Sequence, residues 1–417
     1  MTTISVGMLG CGTVGTGVLT LLNRATNQIA ESIKVHFNVK KIAVSHPDKK
    51  RNLHWDEDVQ FTGEIENVTT DPSIQIVIEV MGTVDQAYHA VCQAINHGKS
   101  VITANKELIA LKGPQLTKLA RQNHVDLYYE ASVGGGIPIL RVLSDSLITD
   151  QITGLTGIVN GTSNYVLSAM KDERSSYADS LKRAQKLGYA EANPINDLSG
   201  FDSAYKLAIL SQLAFGHTIN LKQLERTGID KITLDELSGA AHWGLTIKPA
   251  IVARKKEHTL YTLVAPVAVT KQHPLANVSG VENSVLVSST ALGTTSYTGA
   301  GAGSEPTANS IMSDLLTITH HILTEQCGSS YNAPSTHISE YSLLKLPLEY
   351  FIALGEPAKK EPKFSNEASQ YIEDTFKTGK AVFCITSVLD KNEKTNLEKS
   401  LSFMFQNVHF YPILKEN

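Results

Sequence analysis

A chain of 417 residues, 42% hydrophobic and 19% charged with a net charge of −4, is long enough for two or three domains with sizeable cores. Near-neutral charge without a long basic run argues against a nucleic-acid partner, and apolar runs no longer than a strand, such as 74–81, argue against a membrane span. Cys11, Cys92, Cys327 and Cys384 stand far apart with no C-x-x-C pair and the chain opens directly on a strand, so a reduced, cytoplasmic setting without a structural metal is expected.

The first element is an apolar strand, Ile4–Leu9, which runs into Gly10-Cys11-Gly12-Thr13-Val14-Gly15 and then into the helical spacing of Val14, Val18, Leu21 and Leu22. Strand, G-x-G-x-x-G turn and helix in this order form the setting a dinucleotide pyrophosphate needs, with free N–H groups and a positive dipole end at the helix start. Further strands are expected at Val39–Val44, Ile74–Val80, Ser100–Ala104 and Asp126–Tyr129, and helices at Gly15–Glu31, Asp85–His97 and Pro114–Asn123. This alternation predicts an α/β, Rossmann-type doubly wound parallel sheet over residues 1–130. Residues 131–302 read as a second, α+β domain, with strands Ile152–Val159, Leu260–Val269 and Ser284–Ser289. Its helices are expected near Ser176–Leu187, Ser203–Phe215 and Leu221–Thr227. A glycine-dense stretch at 297–304 precedes a helix, Pro306–Thr324, and residues 303–325 are expected to complete the first domain. After a polar linker at 326–342, residues 343–417 read as a small terminal α+β module of three strands and two helices. Its elements are Pro347–Leu354, Glu367–Phe376, Ala381–Leu389, Glu393–Phe405 and Val408–Leu414. So small a module is expected to pack on the main body or on a second copy.

Four segments carry candidate chemistry. Lys106 follows the strand Ser100–Ala104 and emerges where ligands of open parallel sheets sit, although a surface lysine opening a helix explains it equally well. Glu130-Ala131-Ser132-Val133-Gly134-Gly135-Gly136-Ile137-Pro138 is either a tight turn or a set of carbonyl oxygens and one carboxylate suited to a hard cation. Asn160-Gly161-Thr162-Ser163-Asn164 either caps the next helix or binds polar substrate groups. Asp202 and Lys206 lie four apart on one helical face, and Lys206 is the lone charge between Ser203 and Phe215. A lysine in so apolar a helix must be paired or snorkel, and with Glu191 and Asp197 close in sequence the run 188–206 reads as a pocket for an ammonium group and a proton donor.

Taken in order, the glycine loop at 10–15, ITANK ending at Lys106, EASVGGGIP from Glu130, GIVNGTSNY from Gly157, the acid-rich run ending at Lys206, and GAGAG from Gly299 resemble the homoserine dehydrogenases over residues 1 to about 325. The resemblance implies NAD(P)H-dependent, reversible reduction of L-aspartate 4-semialdehyde to L-homoserine, on the route to threonine and methionine. It implies that Gly10, Cys11, Gly12, Thr13, Val14 and Gly15 cradle the pyrophosphate, with Gly303 and Glu305 on a late segment that touches the cofactor. Lys206, Lys106 and Asp202 match the catalytic residues, Lys106 also lying toward cofactor and substrate; Glu191, Asp197, Asn160, Gly161 and Thr162 fall in the substrate site. Glu130, Val133, Gly135 and Ile137 match a monovalent cation site for Na+ or K+. Asn193 stands where the family usually has aspartate, and Tyr205 where it often has arginine. The terminal module resembles a divergent ACT domain, and the family implies that residues 131–302 form the substrate and dimerisation domain of a homodimer or homotetramer.

Hydride transfer to an aldehyde builds negative charge on oxygen, which a proton donor must meet; Lys206, held by Asp202, is the candidate donor, with Lys106 adding positive charge. The second strand ends Ala43-Val44-Ser45-His46 without an acid and is followed by Lys49, Lys50 and Arg51, which favours NADP over NAD. An aldehyde dehydrogenase would need a thiol nucleophile, and no cysteine occurs between Cys92 and Cys327. A catalytically silent NAD(P)-binding regulator is the alternative of another class; the presence of Lys106, Lys206 and Asp202 speaks against it.

Overall fold

The computed structural model describes residues 1–51, 59–331, 333, 338–356, 364–379 and 381–415, so parts of the expected linker at 326–342 lie outside the described residues. Two compact units emerge: Met1–Thr149 with Ala208–Thr218 and Gly299–Ser335, and Asp150–Leu207 with Ile219–Thr298 and Thr336–Asn417.

The first unit is built on strands β1 (Thr2–Leu9), β2 (Val35–Ala43), β3 (Gln60–Thr62), β4 (Ile76–Glu79), β5 (Ser100–Thr103) and β6 (Leu127–Tyr128), with helix α1 (Thr13–Ile33) after β1 and α2 (Lys106–Gln122) after β5. All pair in parallel in the order β3-β2-β1-β4-β5-β6. Both faces are covered, which is why Ile4, Val6, Met8, Ile76, Val77 and Ile78 are all buried without alternation. Strand order reverses between β1 and β4, and the crevice beyond their carboxyl ends is where such sheets take ligands. The expected helix at Pro114–Asn123 is the second half of α2, which runs through Pro114. One lost backbone bond, about 3 kcal/mol, is offset by the buried stripe Leu108, Ile109, Leu116 and Ala120.

The second unit carries a ten-stranded mixed sheet. It comprises β7 (Ile152–Ile158), β8 (Leu245–Lys256), β9 (Thr259–Thr270), β10 (Glu282–Ser289), β11 (Gly293–Ala300), β12 (Ser339–Ser342), β13 (Tyr350–Leu354), β14 (Ile372–Thr378), β15 (Ala381–Thr386) and β16 (Val408–Leu414). Helices α3 (Gly161–Glu173), the first half of α4 (Phe201–Phe215) and α5 (Leu234–His242) precede β8, and α6 (Lys391–Ser402) precedes β16. Sequence reading leaves β8, β11 and α5 unassigned. It also expects a helix at Leu221–Thr227, where the chain instead makes turns: Thr227 donates to the Val264 carbonyl at 2.8 Å and Val264 to Glu225 at 3.1 Å. Pairing with β9 satisfies backbone groups that a helix would have satisfied internally.

The terminal strands continue this sheet. β16 runs parallel to β9 through Ile413–Ala268 and Leu414–Val269, and beyond it follow β13, β15 and β14, mutually antiparallel. With a short helix at Asn366–Ser369 the order is the split β-α-β-β-α-β arrangement. The expected helix Glu367–Phe376 is therefore corrected to that short helix and β14. The spacing of Ile372 and Phe376 suits a helix or a strand equally, and antiparallel pairing with β15 decides it. Tyr350, Ile352 and Leu354 enter one hydrophobic cluster with Val252, Leu263, Val267 and Leu397, and Phe351 and Ala353 enter the other with Ile247, Leu237 and Phe383. Among the described residues, no helix is long and apolar enough to cross a membrane.

Candidate active site

The glycine turn of the first unit is shaped by three different needs. Gly10 has φ +100°, and a Cβ there would lie 2.7 Å from the Val80 carbonyl oxygen. Gly15 would meet the Gly10 carbonyl at 2.9 Å, so both positions demand glycine. Gly12 has nothing within 4 Å of its Cβ direction and caps α1 without a side-chain acceptor, and no acid sits in the first turn. The first N–H groups of α1, from Thr13, Val14 and Gly15, are thus open to an anion. A cleft of about 380 Å³ adjoins the turn, lined by Gly10, Cys11, Gly12, the last residue of β2, Ala43, with Val44, Ser45 and His46 after it, and Lys49 and Arg51. Arg51 donates to the carbonyls of His46 at 2.8 Å and Lys49 at 2.9 Å and lies 4.8 Å from the centre of the Phe61 ring. Burial pushes the Cys11 thiol up, against a Thr16 hydrogen bond and the Arg51 charge, so it is a poor nucleophile.

At the carboxyl ends of β4 and β5, buried Glu79 accepts from Met81 N at 2.7 Å and from the Thr103 hydroxyl at 2.5 Å. Burial raises its pKa. Thr103 Oγ1 accepts in turn from Asn105 N at 3.0 Å, and Asn105 caps α2 by accepting from Leu108 N at 3.1 Å. This chain of contacts sets Lys106, half-buried, at the first position of α2.

The turn after β6 places Glu130, 1% exposed, against the backbone it precedes: its carboxylate accepts from Leu140 N and Arg141 N, each at 2.9 Å, and from the Tyr331 hydroxyl at 2.9 Å. Asp314, on the long helix Ser304–Leu323, accepts from Glu130 N at 2.8 Å and Arg141 Nη2 at 2.8 Å, and lies 3.1 Å from the Tyr331 hydroxyl. Burial, helped by the nearby Glu130 charge, pushes Asp314 up to about 8. Gly135, with φ +55°, lies against Gly301, and its carbonyl accepts from the Ser310 hydroxyl at 2.6 Å. The Ile137 carbonyl accepts from Ile139 N at 2.8 Å. Among the described residues no group of three or more His, Cys, Asp or Glu side chains could hold a metal ion, so a cation at this turn would rest mainly on carbonyl oxygens.

In the second unit the polar cluster converges on the start of α3. Asn160 caps that helix, accepting from Ser163 N at 2.8 Å, while its Nδ2 donates to Asp197 Oδ1 at 2.7 Å and to Asp202 Oδ2 at 2.8 Å. Lys206 Nζ donates to the same Asp202 oxygen at 2.8 Å and to the Val159 carbonyl, just after β7, at 2.6 Å. Asp202 and Lys206 are both buried. The Ser163 hydroxyl donates to the Asp197 carbonyl at 2.9 Å and the Thr162 hydroxyl to the Tyr189 carbonyl at 2.6 Å, which fixes the acid-rich loop to α3. Gly161 passes close to Val281, where a Cβ would lie 2.8 Å from its carbonyl oxygen.

Asn160, Asp197, Asp202 and Lys206 are therefore brought together. Glu191 and Asn193 are exposed on the preceding loop, and Tyr205 is half-buried. Gly303, φ +126°, precedes the helix Ser304–Leu323; Ser304 Oγ donates to the Thr13 carbonyl at 2.8 Å, beside the glycine turn, and Glu305 makes an exposed ion pair with Arg24 at 3.6 Å. Sequence reasoning misses Glu79, Thr103, Asn105, Asp314 and Tyr331, which act through partners distant in sequence. Asn105 alone carried a local signal, a capping residue ahead of a helix.

A family model described as homoserine dehydrogenase matches residues 138–316, and one described as homoserine dehydrogenase, NAD binding domain, matches residues 10–130. The homoserine dehydrogenase of Lactococcus lactis is 39% identical over 358 residues, covering 85% of this chain and 83% of its own. That of Bacillus subtilis is 39% identical over 334 residues, covering 80% and 77%. Among solved structures, a homoserine dehydrogenase from Thiobacillus denitrificans aligns over 100% of this chain and 99% of its own, with a TM-score of 0.92 and 32% identity.

Proposed function

Since the chain belongs to the homoserine dehydrogenase family, oxidoreductases acting on a CH–OH group, we propose how its residues divide the reaction between L-homoserine and L-aspartate 4-semialdehyde. The observation that carries the assignment is the buried Lys206 ammonium, oriented by Asp202 and the Val159 carbonyl. Gly10–Gly15 would hold the pyrophosphate of a nicotinamide cofactor, which would supply or accept the hydride. Lys206 gives its proton to the aldehyde oxygen in reduction and takes one from the hydroxyl in oxidation. Asp202 keeps the ammonium in place, Lys106 adds positive charge, and Glu191 and Asp197 hold the substrate's α-ammonium.

The cleft beside the glycine turn supports NADP: its described lining has Lys49 and Arg51 but no Asp or Glu, which suits a 2′-phosphate better than a free ribose. The carbonyls of Val133, Gly135 and Ile137 with Glu130 are the donor set for Na+ or K+. The split strand order supports an ACT-like terminal module, and a homodimer or homotetramer is the proposed assembly. One assay tests the core of this reading. Homoserine-dependent reduction should run faster with NADP+ than with NAD+ and faster in potassium or sodium than in choline chloride. Lys206→Ala should lower kcat by on the order of 10³-fold with unchanged NADPH affinity. A variant that loses cofactor binding but keeps its rate at saturation contradicts the assignment.

A further inference from the structure

We propose that Asn160 is a positioning residue that sets how firmly Asp202 holds the proton of Lys206, rather than a contact to substrate; this rests on Lys206 being the proton donor. The side-chain amide has two hydrogens and both are engaged, one by Asp197 Oδ1 at 2.7 Å and one by Asp202 Oδ2 at 2.8 Å. Its carbonyl oxygen accepts from Ser163 N as the cap of α3. No donor remains on Asn160 for a ligand, so its influence passes through its neighbours.

Two consequences follow from that placement. One nitrogen lies within hydrogen-bond reach of two carboxylates, so the amide dipole offsets the repulsion between Asp197 and Asp202 and ties the loop around 197 to the helix carrying Lys206. The amide also shares one oxygen of Asp202 with the ammonium, each at 2.8 Å. A carboxylate oxygen that accepts from a second donor is a weaker base toward the first. Lys206 is thereby oriented without being locked in a tight ion pair, and its proton remains transferable. Groups that bear on its proton affinity from this side include Asp202 on its own helix, Asp197 through Asn160, and the Val159 carbonyl just after β7; Glu191 lies exposed on the loop before them.

The test uses Asn160→Ser and Asn160→Asp in the full chain, assayed for homoserine oxidation. Both keep an acceptor for Ser163 N and so preserve the cap; melting within a few degrees of the parent, about what a cap change costs, verifies the fold. Serine cannot bridge both acids, and aspartate replaces the two donations by a third negative charge. In oxidation Lys206 must be neutral, so tighter pairing with Asp202 moves the rising limb of the kcat–pH profile upward. We expect a shift of about one pH unit for serine and more for aspartate, with kcat near neutrality down roughly 10-fold or more and KM for NADP+ unchanged. A raised KM for homoserine with unchanged kcat would mean a direct substrate contact, and a lower kcat with an unshifted profile would mean a purely structural role; either overturns the inference. If the parent protein shows no homoserine-dependent turnover, the proposed function itself fails. If the parent turns over and both variants keep its profile, only the role of Asn160 fails.

Discussion

Two lysines of the second unit solve the problem of a buried ammonium in opposite ways. Lys206 has a carboxylate partner. Lys248 on β8, 5% exposed, donates to the Val278 carbonyl at 2.6 Å, and burial, with Lys171 nearby and against the Asp172 charge, pushes it from its ordinary 10.5 down to about 8. The folded state therefore disfavours the charged form, by roughly 3 kcal/mol on the ordinary conversion of pKa to free energy. The sign follows from which state binds the proton more tightly. Below pH 8 both states are charged and the full penalty applies; it fades between 8 and 10.5, where only the unfolded chain stays charged, and vanishes above. Lys248→Met should raise stability at pH 7, since Val278 keeps its bond from Asn164 at 3.2 Å, and the gain should shrink toward pH 10. Urea unfolding at both pH values decides it; a variant less stable at pH 7 would show that the hydrogen bond outweighs the charge. Both lysines stand in apolar surroundings, but only Lys206 has an acid four residues away. That local pairing is legible in a sequence, whereas the Val278 carbonyl that meets Lys248 comes from a loop thirty residues on.

At the level of the element, the start of α1 has unsatisfied N–H groups where α3 has Asn160 and α5 a complete capping box on Thr233 and Glu236. An uncapped start is unfavourable unless something else fills it. Gly12 offers a way to separate folding from binding, because its φ of −85° suits any residue and nothing blocks a side chain there. Gly12→Asp should cap the helix, stabilising the fold by about a few tenths of a kcal/mol, while its charge repels a pyrophosphate and lowers NADPH affinity by on the order of 100-fold. Thermal melts with and without NADPH test both signs together; a variant that binds as well as the parent would move the phosphate site elsewhere. Motifs of this kind are read easily because strand, turn and helix are neighbours in the chain. The segment at 221–227 was not, because its conformation is decided by Val264, and β14 was not, because Ile372 and Phe376 fit either period and only β15 breaks the tie.

Across the second unit as a whole, the terminal strands have no core of their own: Phe351, Phe383 and Tyr411 share a cluster with Leu237 of α5 and Ile247 of β8. Length alone suggests this dependence, but the polar fastening does not show in the sequence. His409 on β16 meets Glu236 of α5 at 2.5 Å, and Glu236 also accepts from Thr233 N at 2.6 Å. The hydrogen bond to Glu236 raises the His409 pKa above its ordinary 6.5, against burial and the Lys231 charge. A base whose pKa rises on folding stabilises the fold fully below its unfolded value, and this stabilisation disappears as pH climbs through the raised one. With the imidazole partly exposed, the pair is worth about 1 kcal/mol. His409→Gln should therefore unfold at lower urea than the parent at pH 6 and at nearly the same urea at pH 9. Equal losses at both would show that His409 serves by packing against Tyr411 and not by its charge. A difference confined to low pH would show that a titrating ion pair fastens the last strand of the chain to the helix ahead of β8.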